Sequence, residues 1–195
     1  KDSDHYKEYM NNNTLSYEED KKLITDIYIK NIADFDPLYQ NLEEQSIYWN
    51  DEVEFVISII LKTLGNFKEA EGENGKMPPL YKNEEDISFV KRLFRKAILN
   101  KDEYRKLIEQ YAKNWEIERI AFIDILILQI AIAEVIEFTS IPTKVTFNEY
   151  LEIAKFYSTN KSSIFINGLL DKIIGHLKDN KVIKKSGRGL IGENN

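Results

Sequence analysis

Along the chain, apolar residues return every third or fourth position, the period of a helix packed on one side. Leu23, Ile24, Ile27, Tyr28 and Ile32 form the first such stripe. It follows Ser16-Tyr17-Glu18-Glu19, whose hydroxyl and carboxylate are spaced to satisfy the free N–H groups of a helix start. That helix should stop before Pro37, and the polar stretch Lys1 to Asn13 ahead of it carries no pattern. Val53, Val56, Ile57, Ile60, Leu61 and Leu64 make a second stripe, with Gly65-Asn66 as its stop. From Ala70 to Asn83 the period is lost among Gly72, Gly75 and Pro78-Pro79, so this stretch reads as a linker.

Beyond it the pattern strengthens. Glu84-Glu85-Asp86 places negative charge at the positive end of a helix carrying Ile87, Val90, Leu93, Phe94, Ala97 and Ile98. Tyr104, Leu107, Ile108 and Tyr111 stripe a shorter one that ends near Asn114. The segment from Glu118 to Phe138 is apolar on nearly every side, which predicts a central helix covered all round. Ile141-Pro142 ends it, and Thr146-Phe147-Asn148-Glu149 has the spacing of a second helix start, leading through Tyr150, Leu151, Ile153, Ala154 and Tyr157. The last helix carries Ile166, Leu169, Leu170, Ile173, Ile174 and Leu177. Gly168 inside it should have a packing reason, most simply close approach of the central helix. No segment alternates long enough for a sheet, so the fold class is all-α, a helical bundle.

Three regions follow: an acidic helical segment 1–83 with linker 70–83, a helical domain 84–178, and a basic, glycine-rich tail 179–195 expected to be mobile. Charge separates them. Residues 1–83 hold 9 basic and 17 acidic side chains, whereas Lys144 to Arg188 holds 9 basic and 4 acidic, the stretch least repellent to a polyanion. The 195 residues contain no cysteine, which removes disulfides, thiolate metal sites and cysteine nucleophiles and fits a cytoplasmic protein. The most apolar run, Ile125 to Ala133, is too short to span a membrane. The chain opens on Lys1 rather than Met, as a fragment or processed product would.

Chemistry is sparse. His5 and His176 have no partners at ligand or triad spacing, the paired glutamates sit at helix starts, and Gly187-Arg188-Gly189 lacks the frame of a phosphate loop. No catalytic residue, metal or cofactor is expected. What remains is a binding surface of Lys144, Lys155, Lys161 and Lys172, with Ser158-Thr159-Asn160 and Ser162-Ser163, near Tyr157 and Phe165. Lysines neutralise phosphates, hydroxyls hydrogen-bond to backbone or base, and an exposed ring stacks on an unpaired base. Solvated lysines around a core Phe165 fit the same spacing.

The run Ile141-Pro-Thr-Lys-Val-Thr-Phe-Asn-Glu149, then Ala154-Lys155, then Phe165-Ile-Asn-Gly-Leu-Leu-Asp-Lys172, resembles the signature of the NusB family of bacterial transcription antitermination factors, and Trp115 to Glu134 resembles its central helix. The resemblance extends from about Glu84 to Leu177. It implies an all-helical protein that is not an enzyme. Such a protein pairs with NusE, a small-subunit ribosomal protein, on boxA-like single-stranded RNA within the RNA polymerase antitermination complex. On this match Lys144, Lys161 and Phe165 meet RNA and Asp124 lies on the NusE face. Lys155 and Ser162 join the RNA set from the surface read above, Arg119 of the matching central helix joins the partner set, and Asn148, Asn167 and Gly168 are expected to be structural, the two amides as buried ties between helices. The arginine-rich opening usual in the family is missing from Lys1 to Asn13, which marks a divergent form truncated or extended at its front. Two rivals share the same features: the RNA-binding module of an rRNA methyltransferase, and a helical module that binds protein alone.

Overall fold

The computed structural model describes residues 3–14, 16–112, 120–159 and 161–193. Every regular element among them is helical, so the chain is all-α, and none of these helices is long and apolar enough to cross a membrane. The chain divides into two compact units, Lys1–Leu80 and Tyr81–Asn195.

The first unit contains α1 (Asp4–Asn11), α2 (Tyr17–Ile27) continued by a π-helical turn at Tyr28–Ile32, α3 (Asp36–Gln45) and α4 (Val53–Asn66). Ser16 caps α2 as its spacing predicts, its hydroxyl accepting from the Glu19 N–H. Two helices were illegible. Helix α1 occupies the stretch that carries no pattern, where the Tyr9 hydroxyl ties it to Asp20 on α2 at 2.5 Å. Helix α3 begins where a stop is expected, because Pro37 sits in its first turn, the one place where a missing N–H costs nothing. Val53, Ile57 and Thr63 of α4 are the buried residues described here, so this unit has a thin core.

The second unit is built around α7 (Phe122–Glu137), the central helix that the apolar run foretells. Helices α5 (Glu84–Leu99), α6 (Lys101–Tyr111), α8 (Thr143–Tyr157) and α9 (Ser162–Asp179) all pack on it. Its Leu128, Ala131, Ile132 and Val135 meet Ile108 of α6, Ala154 of α8, and Ile166, Leu170 and Ile173 of α9 in one core. Polar ties fix the layers. Buried Tyr150 donates to Glu134 at 2.9 Å, and burial, with that carboxylate beside it, pushes the phenol well above its ordinary range. Glu137 accepts from Lys96 at 2.8 Å and Arg92 at 3.1 Å, joining α5 to the end of α7. Burial would raise the Glu137 carboxyl, but the two cations outweigh it and hold it below the usual value.

Three expectations need correction. Helix α8 starts at Thr143 behind Pro142, so Thr146 is not its cap; it lies a turn inside, fully buried. Its N-terminus is served from far along the chain, where Glu193 accepts the Thr143 N–H at 3.0 Å. Residues 179–193, read as mobile, instead lie back across the unit as a strap. Lys185 donates to the Val135 and Phe138 carbonyls at 3.0 and 3.1 Å, the open end of α7, and Ser186 N–H reaches Thr139 O at 2.9 Å. Finally, Gly168 is exposed and no heavy atom lies within 4 Å of where a Cβ would stand, so the central helix does not require it. Gly168→Ala should therefore raise stability by about 0.5–1 kcal/mol, seen as a higher urea midpoint with an unchanged slope.

Candidate nucleic-acid interface

The turn between α8 and α9 is held from below. Asp124, in the first turn of α7, is 5% exposed and accepts from the hydroxyls of Ser158 and Ser162, the latter at 2.8 Å. Ser162 also accepts the Thr159 N–H at 3.2 Å, closing the turn on itself. These contacts overturn two expected roles. Ser162 is 2% exposed with its hydroxyl committed inward, so it cannot reach RNA, and Asp124 is an anchor rather than part of a partner face. Both belong to the frame that presents the site. Arg119, the other expected partner residue, lies outside the described residues.

On that frame Lys161 is exposed at the N-cap of α9, and Phe165 follows one turn later, half-buried against the core. Lys155 is exposed near the end of α8, paired with Glu152 at 2.6 Å. Lys144 does not join them. It stands at the other end of α8, eleven residues and so about 16 Å along the axis from Lys155, with its stem against Gly192 of the strap. The basic side chains thus form a track along α8 and α9 rather than a ring around one aromatic.

Asn148 and Asn167 also depart from expectation. Neither amide is a buried tie: both are exposed, and both line a groove of about 370 Å³ together with Leu151, Glu152, Lys155, Ser163 and Ile164. Asn148, Glu152 and Lys155 line it because positions i, i+4 and i+7 share one face of α8; Ser163 and Asn167 do the same on α9. Sequence reasoning named Ser163 within its polar run but missed Leu151, Glu152 and Ile164 as walls of a site. The available signal was Ile164, an apolar residue on the polar face of its helix, and it is 74% exposed. No group of three or more His, Asp or Glu side chains among the described residues could hold a metal ion.

A family model described as the NusB family matches residues 64–175. The chain is 43% identical over 114 residues to a protein of Salinibacter ruber named transcription antitermination protein NusB, covering 58% of this chain and 71% of that one. A protein of the same name from Chloroherpeton thalassium is 44% identical over 103 residues, 53% of this chain and 49% of its own. Among solved structures, a crystal form of T. maritima NusB aligns with 77% of this chain and 89% of its own at a TM-score of 0.43 and 27% identity.

Proposed function

The chain belongs to the NusB family, and from that premise we propose that it acts in transcription antitermination by binding a boxA-like single-stranded RNA together with NusE. It does so as a component of the antitermination complex and not as a catalyst. One observation carries this reading beyond kinship: Lys161 and the half-buried Phe165 stand on a turn fixed by Asp124, with Lys155 beside them on α8 and Lys144 farther along the same helix. A strand laid along α8 and α9 meets cations at intervals and one ring edge, which is how proteins hold unpaired RNA. The acidic charge of residues 1–83 leaves this basic stretch as the place where phosphate is least repelled.

Counterion release supplies the test. With Lys144, Lys155 and Lys161 each neutralising a phosphate, log K should fall against log salt with a slope near −2, since each contact on a single strand contributes about −0.7. Replacing Lys155 and Lys161 by alanine should flatten that slope by about 1.4. Phe165→Ala should weaken binding and leave the slope alone, because stacking releases no ions. An affinity that ignores salt, or a triple variant of Lys144, Lys161 and Phe165 that binds as the parent does, would remove this surface from the mechanism. NusE pull-down with and without RNA separates the protein-only alternative.

A further inference from the structure

The groove between α8 and α9 contains more polar chemistry than the fold uses. Among the described residues the Asn148 and Asn167 amides make no hydrogen bond to the rest of the chain, although both stand within helices, where asparagine is disfavoured. Leu151 and the exposed Ile164 supply apolar flanks. The groove, about 370 Å³, is open to solvent.

Glu152 decides what fits. A carboxylate on the wall, already paired with Lys155 at 2.6 Å, repels a phosphate but accepts hydrogen bonds from an uncharged group. Each asparagine offers a donor and an acceptor in one plane, the complement of a nucleobase edge, while Lys161 stands exposed at the N-cap of α9 outside the groove, where a backbone would run. We infer that this groove is a base-reading subsite: it takes one unpaired nucleobase of the bound RNA, edge toward Asn148, Glu152 and Asn167, and favours a base with an exocyclic amino group over uracil. The inference rests on the RNA-binding reading above and adds to it a source of sequence preference, since lysine contacts to phosphate carry none.

Cytosine and uracil share a ring and differ at the edge in question, so oligocytidylate and oligouridylate of about twelve nucleotides are the probes. The intact chain should bind the first about tenfold more tightly at equal salt, the size of one well-made edge contact. In N148A/N167A that preference should fall to within about twofold while the salt slope stays as in the parent; in E152Q, which also unpairs Lys155, it should fall likewise while both probes bind more tightly. K161A should weaken both probes alike and keep their ratio. These positions are exposed, and alanine is the better helix former, so the variants should fold, as helical circular dichroism will report. Equal binding of the two probes by the parent, or a preference that survives N148A/N167A, overturns the base-reading subsite and leaves the lysine track standing. If neither probe binds at any salt, the subsite falls; if a boxA-like RNA presented with NusE also fails to bind, the RNA reading falls with it.

Discussion

Asp124→Ala should be among the most damaging single substitutions in the second unit, lowering stability by about 3 kcal/mol. The carboxylate is buried at the first turn of α7, where helix N–H groups favour negative charge, and it accepts two hydroxyl hydrogen bonds. Bonds to a charged acceptor are worth about 1.5–3 kcal/mol each, and removing the acceptor leaves two hydroxyls without it in a buried place. Against a total stability of about 5–15 kcal/mol, that is a large share. Asp124→Asn keeps an acceptor oxygen and should cost about half as much. Denaturant unfolding of both variants checks the order. The same substitution should also weaken RNA binding in the folded protein, because the turn it anchors positions Lys161 and leads into Phe165. Full RNA affinity in folded Asp124→Ala would mean that the turn holds its shape without the anchor.

That result would also separate two meanings a charged residue can have in a sequence. Asp124 stands at the head of an apolar run, and nothing local distinguishes a carboxylate offered to a partner from one turned inward to hold a loop. The distinguishing partners, Ser158 and Ser162, lie 34 and 38 residues away. The helices of the second unit were legible because their period is local: Leu128, Ala131, Ile132 and Val135 mark the central helix with no knowledge of what covers it. Helix ends were legible where the capping group is local too, as at Ser16. They were illegible where the cap comes from elsewhere. Glu193 serves the start of α8 and Lys185 the end of α7, each across about fifty residues, and so the basic, glycine-rich run that supplies them reads as loose chain.

The site shows the same division. Lys155 and Lys161 are exposed as their polar surroundings suggest, and the amphipathic spacing that buries Ile166 and Leu170 also turns Asn167 and Gly168 outward. Yet the resemblance assigned the two asparagines to the interior, because a motif records which residue types recur together and not which way they face. Lys144 illustrates the remaining gap. Its position in the run suggested a shared patch, while the rise of α8 carries it about 16 Å from Lys155.

The strap makes the second large effect. At Gly189 a Cβ would stand 1.9 Å from the Thr139 carbonyl oxygen and 3.0 Å from its carbon, a collision with backbone that no rotamer relieves. Gly189→Ala should therefore lift the strap off the α7–α8 junction. It takes with it the Ser186 bond to Thr139, the Lys185 bonds that close α7, and the Glu193 contacts to Thr143 N–H and to Lys178 at 2.7 Å. Burial pushes the Lys185 ammonium below its usual range although Glu193 and Glu134 oppose this, so part of what these bonds contribute is offset by desolvation. A net loss of about 2–3 kcal/mol follows, or a Tm lower by roughly 10 °C for a unit of this size. Hydrogen exchange should show residues 183–193 opening together, with faster exchange at the first turn of α8. RNA affinity is the sharper comparison. Lys144 rests against Gly192 and gains freedom when the strap leaves, while the turn at Asp124 is untouched, so folded Gly189→Ala should bind RNA at least as well as the parent. If affinity instead falls as far as in Asp124→Ala, the strap positions the binding track as well as stabilising the unit, and the junction of α7 and α8 belongs to the RNA surface.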